Sequence, residues 1–240
     1  MAGIYGVCWS LSSVFLLLGQ SISSSLFPEV SSLHTRNRHE EISALFANSI
    51  SYAPFLSLPG FFGALALSKY ILSIFYGLEF ESGSDLLIVL MAARVVQSMQ
   101  MIIARSIDGL NRPDIVFRIN IGTAIFNVIS MFLLIAAFGP IGAPLSALLT
   151  ISASALFNLH ALKLFIPVRI KGELILELAA SIFMFIIISI LSRYLEIHSA
   201  PELLGLIITG AAIFFCIMAL SSDSRKIFMD LCDSIKYKMP

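Results

Sequence analysis

Long uncharged stretches separated by short polar segments run through the whole chain, and they predict membrane-spanning helices. A bilayer core about 30 Å thick needs roughly 20 apolar residues of helix. The longest uncharged stretch contains a turn signal rich in Gly and Pro at 138–144, so we predict two helices there. The chain is predicted to cross the membrane seven times, at residues 5–26, 42–67, 86–109, twice within 119–162, at 174–191 and at 203–220.

The second predicted span is interrupted by Pro54 and by the pair Pro59 and Gly60. Proline removes a helical hydrogen bond and kinks the helix, so we expect a bend in this span. Transporters use such bends at gates, and ordinary membrane helices also tolerate them.

The composition agrees with this pattern. Of the 240 residues, 58% are hydrophobic and 12% are charged, and this charged fraction is about half of that in a soluble domain. We therefore predict an all-α, polytopic membrane protein surrounded by membrane lipids.

Charge and cysteine content exclude several kinds of partner. The 15 Lys and Arg residues balance the 15 Asp and Glu residues, so bulk electrostatics give no reason to expect a nucleic-acid partner. Cys8, Cys216 and Cys232 form no CxxC pair, and no cluster of His accompanies them. We expect no metal site and no cofactor.

Most basic residues fall on alternate connections between the predicted spans. The opposite connections hold only Lys69 and Arg193. Because short cytoplasmic loops carry the excess of Lys and Arg, we predict an outside N-terminus and a cytoplasmic C-terminus in the cell (plasma) membrane. Eleven basic residues follow spans one, three, five and seven: Arg36, Arg38, Arg112, Arg118, Lys163, Arg169, Lys171, Arg225, Lys226, Lys236 and Lys238.

The last twenty residues differ from the rest of the chain. Residues 221–240 place apolar and charged side chains on different faces of a helix, and Asp223 can cap the start of that helix. We expect a cytoplasmic amphipathic tail that lies along the membrane surface.

The third predicted span carries polar residues that a bilayer disfavours. An ionised Arg near the bilayer centre costs roughly 2.5 to 3.5 kcal/mol on the mildest scale, yet Arg94 lies near the middle of this span. The polar residues share one helical face, which must therefore contact protein or water. This candidate substrate-binding stripe consists of Arg94, Gln97, Ser98, Met101, Arg105 and Asp108.

Two interpretations of the arginines stay open. Arg94 either lines an aqueous cavity and binds an anionic group such as phosphate, or it bonds neighbouring helices and fixes their packing. Arg105 is close enough to the headgroups to reach them and can pair with Asp108 one turn away. For Asn120, Asn127 and Asn158 we favour hydrogen bonding between helices over ligand binding.

Sequence signatures of catalysis are absent. The chain has no HExxH, GxSxG or GxxxxGK[ST] motif and no pair of carboxylates within one span, so we predict that it is not an enzyme. A retinal-binding seven-helix protein is also excluded, because residues 203–220 contain no Lys for a Schiff base.

The order of several short motifs resembles that of a known family. Residues 21–33 (SISSSLFPEVSSL) are followed by 109–118 (GLNRPDIVFR), by an asparagine-containing helix at 127–135 (NVISMFLLI) and by a glycine-rich turn at 138–147 (FGPIGAPLSA). This order is similar to that of the polysaccharide flippases, the lipid-linked oligosaccharide exporters of the multidrug/oligosaccharidyl-lipid/polysaccharide superfamily. The resemblance covers most of residues 1–165.

The resemblance implies a specific place in a larger fold. Family members have fourteen helices with both termini cytoplasmic, arranged as two lobes around a central cavity, and seven helices that begin outside correspond to helices 8–14. We expect residues 1–165 to form five spans that resemble the C-terminal lobe, residues 166–220 to add two spans, and residues 221–240 to form the tail. The resemblance also implies that Arg94 faces a cavity through which a lipid-linked sugar phosphate passes.

Three functions follow as alternatives. The first is a transporter half that translocates lipid-linked oligosaccharide or polysaccharide precursors together with a separate N-terminal half or as a homo-oligomer, because alternating access needs two lobes. The second is an inactive or structural membrane remnant. The third is half of a multidrug antiporter, which uses an intramembrane carboxylate for cation exchange; only Asp108 and Glu177 approach that position, and each lies near the end of its span.

Overall fold

A computed structural model describes residues 2–169, 172–195, 197 and 199–220. Within these residues every regular element is helical, which confirms the predicted all-α class. The helices longer than two turns are α1 (Ala2–Val14), α2 (Leu17–Thr35), α3 (His39–Tyr52), α4 (Ser57–Tyr76), α5 (Ser84–Gly109), α6 (Pro113–Phe138), α7 (Gly142–Leu162), α8 (Glu173–Tyr194) and α9 (Ala200–Leu220). The predicted tail at 221–240 lies outside the described residues.

The helices account for the predicted spans. Five helical stretches are long and apolar enough to cross a membrane, and the bent pair α1 and α2 makes a sixth. One of the five, Pro113–Leu162, is 50 residues long and consists of α6 and α7, which a short turn joins and which pack along each other. In the described part of the chain, these stretches give five or six candidate spans, and seven if the 50-residue stretch is divided at its turn.

The first span differs from the single helix predicted at 5–26, because it bends by 53° between α1 and α2. The bend lies next to Ser12 and Ser13, whose hydroxyls both donate to the carbonyl oxygen of Trp9, at 2.9 and 2.7 Å. Serine hydroxyls that bond a carbonyl of the preceding turn loosen and bend a helix. The sequence-based prediction missed this break because neither Pro nor Gly marks it.

The second span breaks where its prolines predicted a bend. Helix α3 ends at Tyr52 and α4 begins at Ser57, with Pro54 in the connection. Ala53 keeps the helical conformation, but Pro54 has no N–H to donate to the preceding turn, so the ladder of hydrogen bonds is interrupted at this point. The predicted interruption at Pro54 is confirmed, and His39–Tyr76 continues as one 38-residue helical stretch.

The predicted turn between the fourth and fifth spans is also confirmed. Gly139 has a φ of 66°, a conformation that suits glycine. Asn127 donates to Thr150 Oγ1 at 2.9 Å, and the hydroxyls of Ser130 and Ser146 lie 2.7 Å apart. These bonds join α6 to α7, as expected for Asn127.

Three apolar clusters hold the helices together. One cluster joins the ends of α2, α5 and α7 to the starts of α3 and α6, with Phe46 and Ile107 among its fully buried members. A second joins α1, α4 and α5 around Leu72 and Leu90. A third packs α8 and α9 onto α4. The first cluster places the predicted basic connections, as far as the structure describes them, at the same end of the bundle.

Candidate functional site

Arg94 is the most buried charged group of the predicted stripe, with 3% of the residue exposed. Its guanidinium points at α1. Nε donates to Ser12 Oγ at 3.2 Å, Nη2 donates to Ser13 Oγ at 3.3 Å, and Nη1 donates to Gln97 Oε1 at 2.7 Å. Within the described residues, no carboxylate lies within 4.0 Å of it. The positive charge is therefore held by neutral hydrogen-bond acceptors.

The indole of Trp9 completes the surroundings of Arg94. The guanidinium carbon lies 4.1 Å from the centroid of the Trp9 ring, which is within the range of a cation–π interaction. Trp9 also stacks on Tyr5, with ring centroids 6.0 Å apart and an angle of 22° between the planes. Because Ser12 and Ser13 bond both Arg94 and the Trp9 carbonyl, the bend of the first span and the arginine form one connected unit.

The lower part of the stripe lines a polar cavity of about 470 Å³ between α2, α5 and α6. Arg105 and Asp108 lie in its wall, with Arg105 Nη1 3.4 Å from Asp108 Oδ2. The side chain of Arg105 is 54% exposed, so its remaining donors can reach a ligand. The other lining residues are Gln20, Ser23, Ser24, Gln100, Met101, Ala104, Val116 and Asn120.

The structure thus divides the predicted stripe into two parts. Met101, Arg105 and Asp108 line the cavity, whereas Arg94 and Gln97 form the bonded unit at α1. Ser98 is buried, and its hydroxyl lies 3.3 Å from that of Ser57 on α4. Both interpretations of the arginines therefore have a structural counterpart: Arg94 joins helices, and Arg105 is the arginine in an open polar cavity.

Several residues of this surface did not stand out in the sequence. Gln20 and Ser24 come from α2, and Gln100 donates to Ser154 on α7 at 3.3 Å. Trp9 is the one Trp of the chain. Ser12 and Ser13 follow Trp9 by three and four residues, a spacing that could have indicated a shared helical face. The residue that this face contacts, Arg94 on α5, lies 85 residues away in the chain.

The polar cavity suits a neutral or anionic group rich in hydroxyls. Its amide and hydroxyl side chains both donate and accept hydrogen bonds, and Arg105 adds a charged donor fork. In the described part of the chain, no three His, Cys, Asp or Glu side chains are arranged to hold a metal ion.

A second cavity of about 610 Å³ is almost entirely apolar. It lies between α1, α4, α5, α8 and α9, and residues such as Phe15, Met91 and Phe214 line it. Gly60 allows this arrangement, because a Cβ atom there would overlap the ring of Phe15 and the methyl group of Met91. The same bundle therefore offers one polar and one apolar cavity.

Comparisons with known proteins agree on one class of membrane protein. The chain is 31% identical over 169 residues to Agl15, a probable low-salt glycan biosynthesis flippase of Haloferax volcanii. The match covers 70% of this chain and 36% of Agl15. The probable flippase AglR of the same organism is 28% identical over 234 residues, which cover 94% of this chain and 48% of AglR. The chain thus spans between a third and a half of the length of these curated relatives.

A solved structure shows the same fold. The lipid II flippase MurJ, in an inward closed conformation, superposes with a TM-score of 0.72 at 16% identity, over 91% of this chain and 45% of MurJ. The family model MatE matches residues 2–133, more than half of the chain. The chain belongs to the MatE family.

Proposed function

We propose that this chain is the substrate-binding lobe of a flippase that translocates lipid-linked oligosaccharide or polysaccharide precursors across the cell membrane. The observation that carries the proposal is the polar cavity between α2, α5 and α6, inside a bundle that also holds a large apolar cavity. A lipid-linked saccharide has a polar sugar phosphate, which suits the polar cavity, and an apolar lipid chain, which suits the apolar cavity. The names of the two Haloferax volcanii relatives and of MurJ support the same class of substrate.

The polar cavity supplies what a phosphosugar needs. Burying a polar group without a partner costs roughly 2–7 kcal/mol, depending on the reference state. The hydroxyl and amide groups of Ser24, Gln100 and Asn120 can form the hydrogen bonds that sugar hydroxyls otherwise make with water. The guanidinium of Arg105 can donate two parallel hydrogen bonds to phosphate oxygens. The role of the cavity is binding and passage, so we propose no catalytic residue and no enzymatic activity.

A complete transport cycle needs a second lobe. Alternating access requires two bundles that rock around a shared site, and this chain spans between a third and a half of the length of its curated relatives. We propose that the partner is a separate N-terminal half or, failing that, a second copy of the chain. The asymmetry of basic residues supports an outside N-terminus and a cytoplasmic C-terminus.

The structure favours the flippase over the antiporter alternative. An antiporter exchanges cations at an accessible intramembrane carboxylate. Asp108 is paired with Arg105, and Glu177 is fully buried on α8, where it lines neither cavity. Neither carboxylate is both free and accessible.

A matched pair of arginines tests the proposal. Arg105 and Arg112 are both about half exposed, and each lies 3.3–3.4 Å from a carboxylate, but only Arg105 lines the cavity. In detergent-solubilised chain, Arg105→Gln should weaken the binding of glucosyl phosphopolyprenol about tenfold, as expected for a lost charged hydrogen bond. Arg112→Gln should bind normally.

Two results would contradict the proposal. If the unmodified chain does not bind glucosyl phosphopolyprenol, the remnant alternative is correct. If both glutamine variants lose affinity equally, general electrostatic attraction explains the binding and the cavity has no specific role.

A further inference from the structure

Trp9 is a large aromatic residue on an exposed helical face that no cavity or apolar cluster explains. It is 43% exposed and lies outside both cavities and all three clusters. Membrane proteins use Trp at the two interfaces of the bilayer. Trp9, however, contacts Arg94, which lies ten residues into the 26-residue helix α5, or about 15 Å from its start.

The contacts around Trp9 fix the orientation of its ring. Arg94 lies over the indole at 4.1 Å, and three hydrogen bonds from Arg94 to Ser12, Ser13 and Gln97 hold the guanidinium in place. A ring that is already oriented loses little conformational freedom when a ligand stacks on it. The arrangement is thus that of a prepared binding surface.

The floor beside Trp9 is open and polar. A Cβ atom on Gly6, one helical turn before Trp9, would meet nothing within 4 Å, so the space beside the indole is open. Ser10, the next residue along α1, is also exposed, and Ser13 and Gln97, which both bond Arg94, are partly exposed. This surface combines an exposed aromatic ring with hydroxyl and amide groups.

This combination suits a sugar ring better than an acyl chain. One face of a pyranose presents C–H groups with partial positive charge, which the negative face of an aromatic ring attracts. The sugar hydroxyls then meet hydrogen-bonding side chains around the ring. An acyl chain forms no hydrogen bonds with the serines, and the apolar cavity offers it an apolar surface.

We propose that Trp9 is a stacking platform for the saccharide of a lipid-linked substrate, with Arg94 as the positioning residue that holds the indole. This inference rests on the proposed function. The platform lies on the same face of α5 as the polar cavity, since Arg94 and Gln97 share one helical stripe with Met101, Arg105 and Asp108, which line that cavity. A saccharide at Trp9 and a phosphate near Arg105 would therefore share one surface.

The fluorescence of Trp9 gives a direct test, because the chain has one Trp. Solubilised chain is titrated with glucosyl phosphopolyprenol and, separately, with polyprenyl phosphate without sugar. We expect the glucosylated probe to shift or quench the emission and to bind more tightly, and the bare phosphate to leave the emission unchanged.

Substitutions separate stacking from packing, with binding measured by radiolabelled probes. Trp9→Leu should weaken binding of the glucosylated probe about tenfold and leave polyprenyl phosphate binding unchanged, whereas Trp9→Phe should keep most of the affinity. Phe132→Leu, at an aromatic residue that is 71% exposed on α6, should affect neither probe.

Each contrary result has its own meaning. If Trp9→Leu weakens the binding of both probes equally, or the binding of neither, Trp9 is not a stacking platform. The proposed function is then still supported by the binding of glucosyl phosphopolyprenol to the unmodified chain. If the unmodified chain binds neither probe, the proposed function fails and the platform fails with it.

Discussion

Arg94 and Trp9 lie 85 residues apart in the chain, yet the guanidinium carbon of one is 4.1 Å from the ring centroid of the other. The contact joins the middle of α5 to the bent first span. The buried guanidinium of Arg94 therefore contacts an indole ring and three neutral hydrogen-bond acceptors in place of a carboxylate.

Removal of Arg94 should loosen the first span. Arg94→Ala deletes three hydrogen bonds and a cation–π contact, so we expect a loss of about 1–3 kcal/mol of stability. Arg94→Lys keeps the charge but has no planar fork, so it should restore only part of the loss. Thermal unfolding in detergent measures both. An unchanged midpoint for Arg94→Ala would show that these contacts do not stabilise the fold.

The contact between α2 and α5 depends on Gly19. A Cβ atom at this position would lie 2.9 Å from Ser98 Cβ and 3.2 Å from Ser98 Cα, so Gly19→Ala should force the helices apart and destabilise the protein by about 1–3 kcal/mol. Gly122 is a matched control in α6, because its added Cβ would meet nothing within 4 Å. Gly122→Ala should be neutral or slightly stabilising. Equal effects in thermal unfolding would contradict the packing described for Gly19.

Glu177 should be replaceable by an apolar residue. It is fully buried, and among the described residues neither of its carboxylate oxygens has a hydrogen-bond partner. Burying such a group costs free energy, and apolar replacements at buried charged positions are often neutral or stabilising. Glu177→Met should therefore raise the unfolding midpoint, whereas Glu40→Gln, at an exposed position, should leave it unchanged. A lower midpoint for Glu177→Met would indicate that the carboxylate is needed in the fold.

The predicted sidedness can be measured by cysteine labelling. In a chain whose three native cysteines are replaced by serine, Glu40→Cys lies at the start of α3 on the predicted cytoplasmic side. Ser82→Cys lies between α4 and α5 on the opposite side. Both positions are exposed. A membrane-impermeant maleimide added to intact cells should label only the cysteine at 82. Labelling of the cysteine at 40 alone would reverse the orientation.

Patterns along the chain predicted the spans well because bilayer crossing imposes length and apolarity on each segment separately. The break at Pro54 and the turn near Gly139 were equally local, since proline and glycine act on their own backbone. The bend after Ser13 was different. Serine is common in membrane helices, so the bonds that Ser12 and Ser13 donate to the Trp9 carbonyl leave no distinctive mark in the sequence.

The division of the polar stripe could not be read from one helix. Helical periodicity placed Arg94 and Arg105 on the same face of α5, but what each contacts is decided by other helices. Trp9 on α1 covers Arg94, whereas α2 and α6 leave a cavity beside Arg105. Such contacts join distant segments, and a single sequence carries no local signal for them.

The most direct test of the account is photo-crosslinking with a lipid-linked saccharide that carries a photoreactive group on its sugar. After irradiation of the chain in lipid nanodiscs, mass spectrometry locates the modified residues. We predict adducts at residues 9–24 of the first span and 97–108 of α5, which surround Trp9 and the polar cavity. Adducts confined to the exposed apolar face of α6, around Phe126 and Phe132, would contradict the proposed binding site.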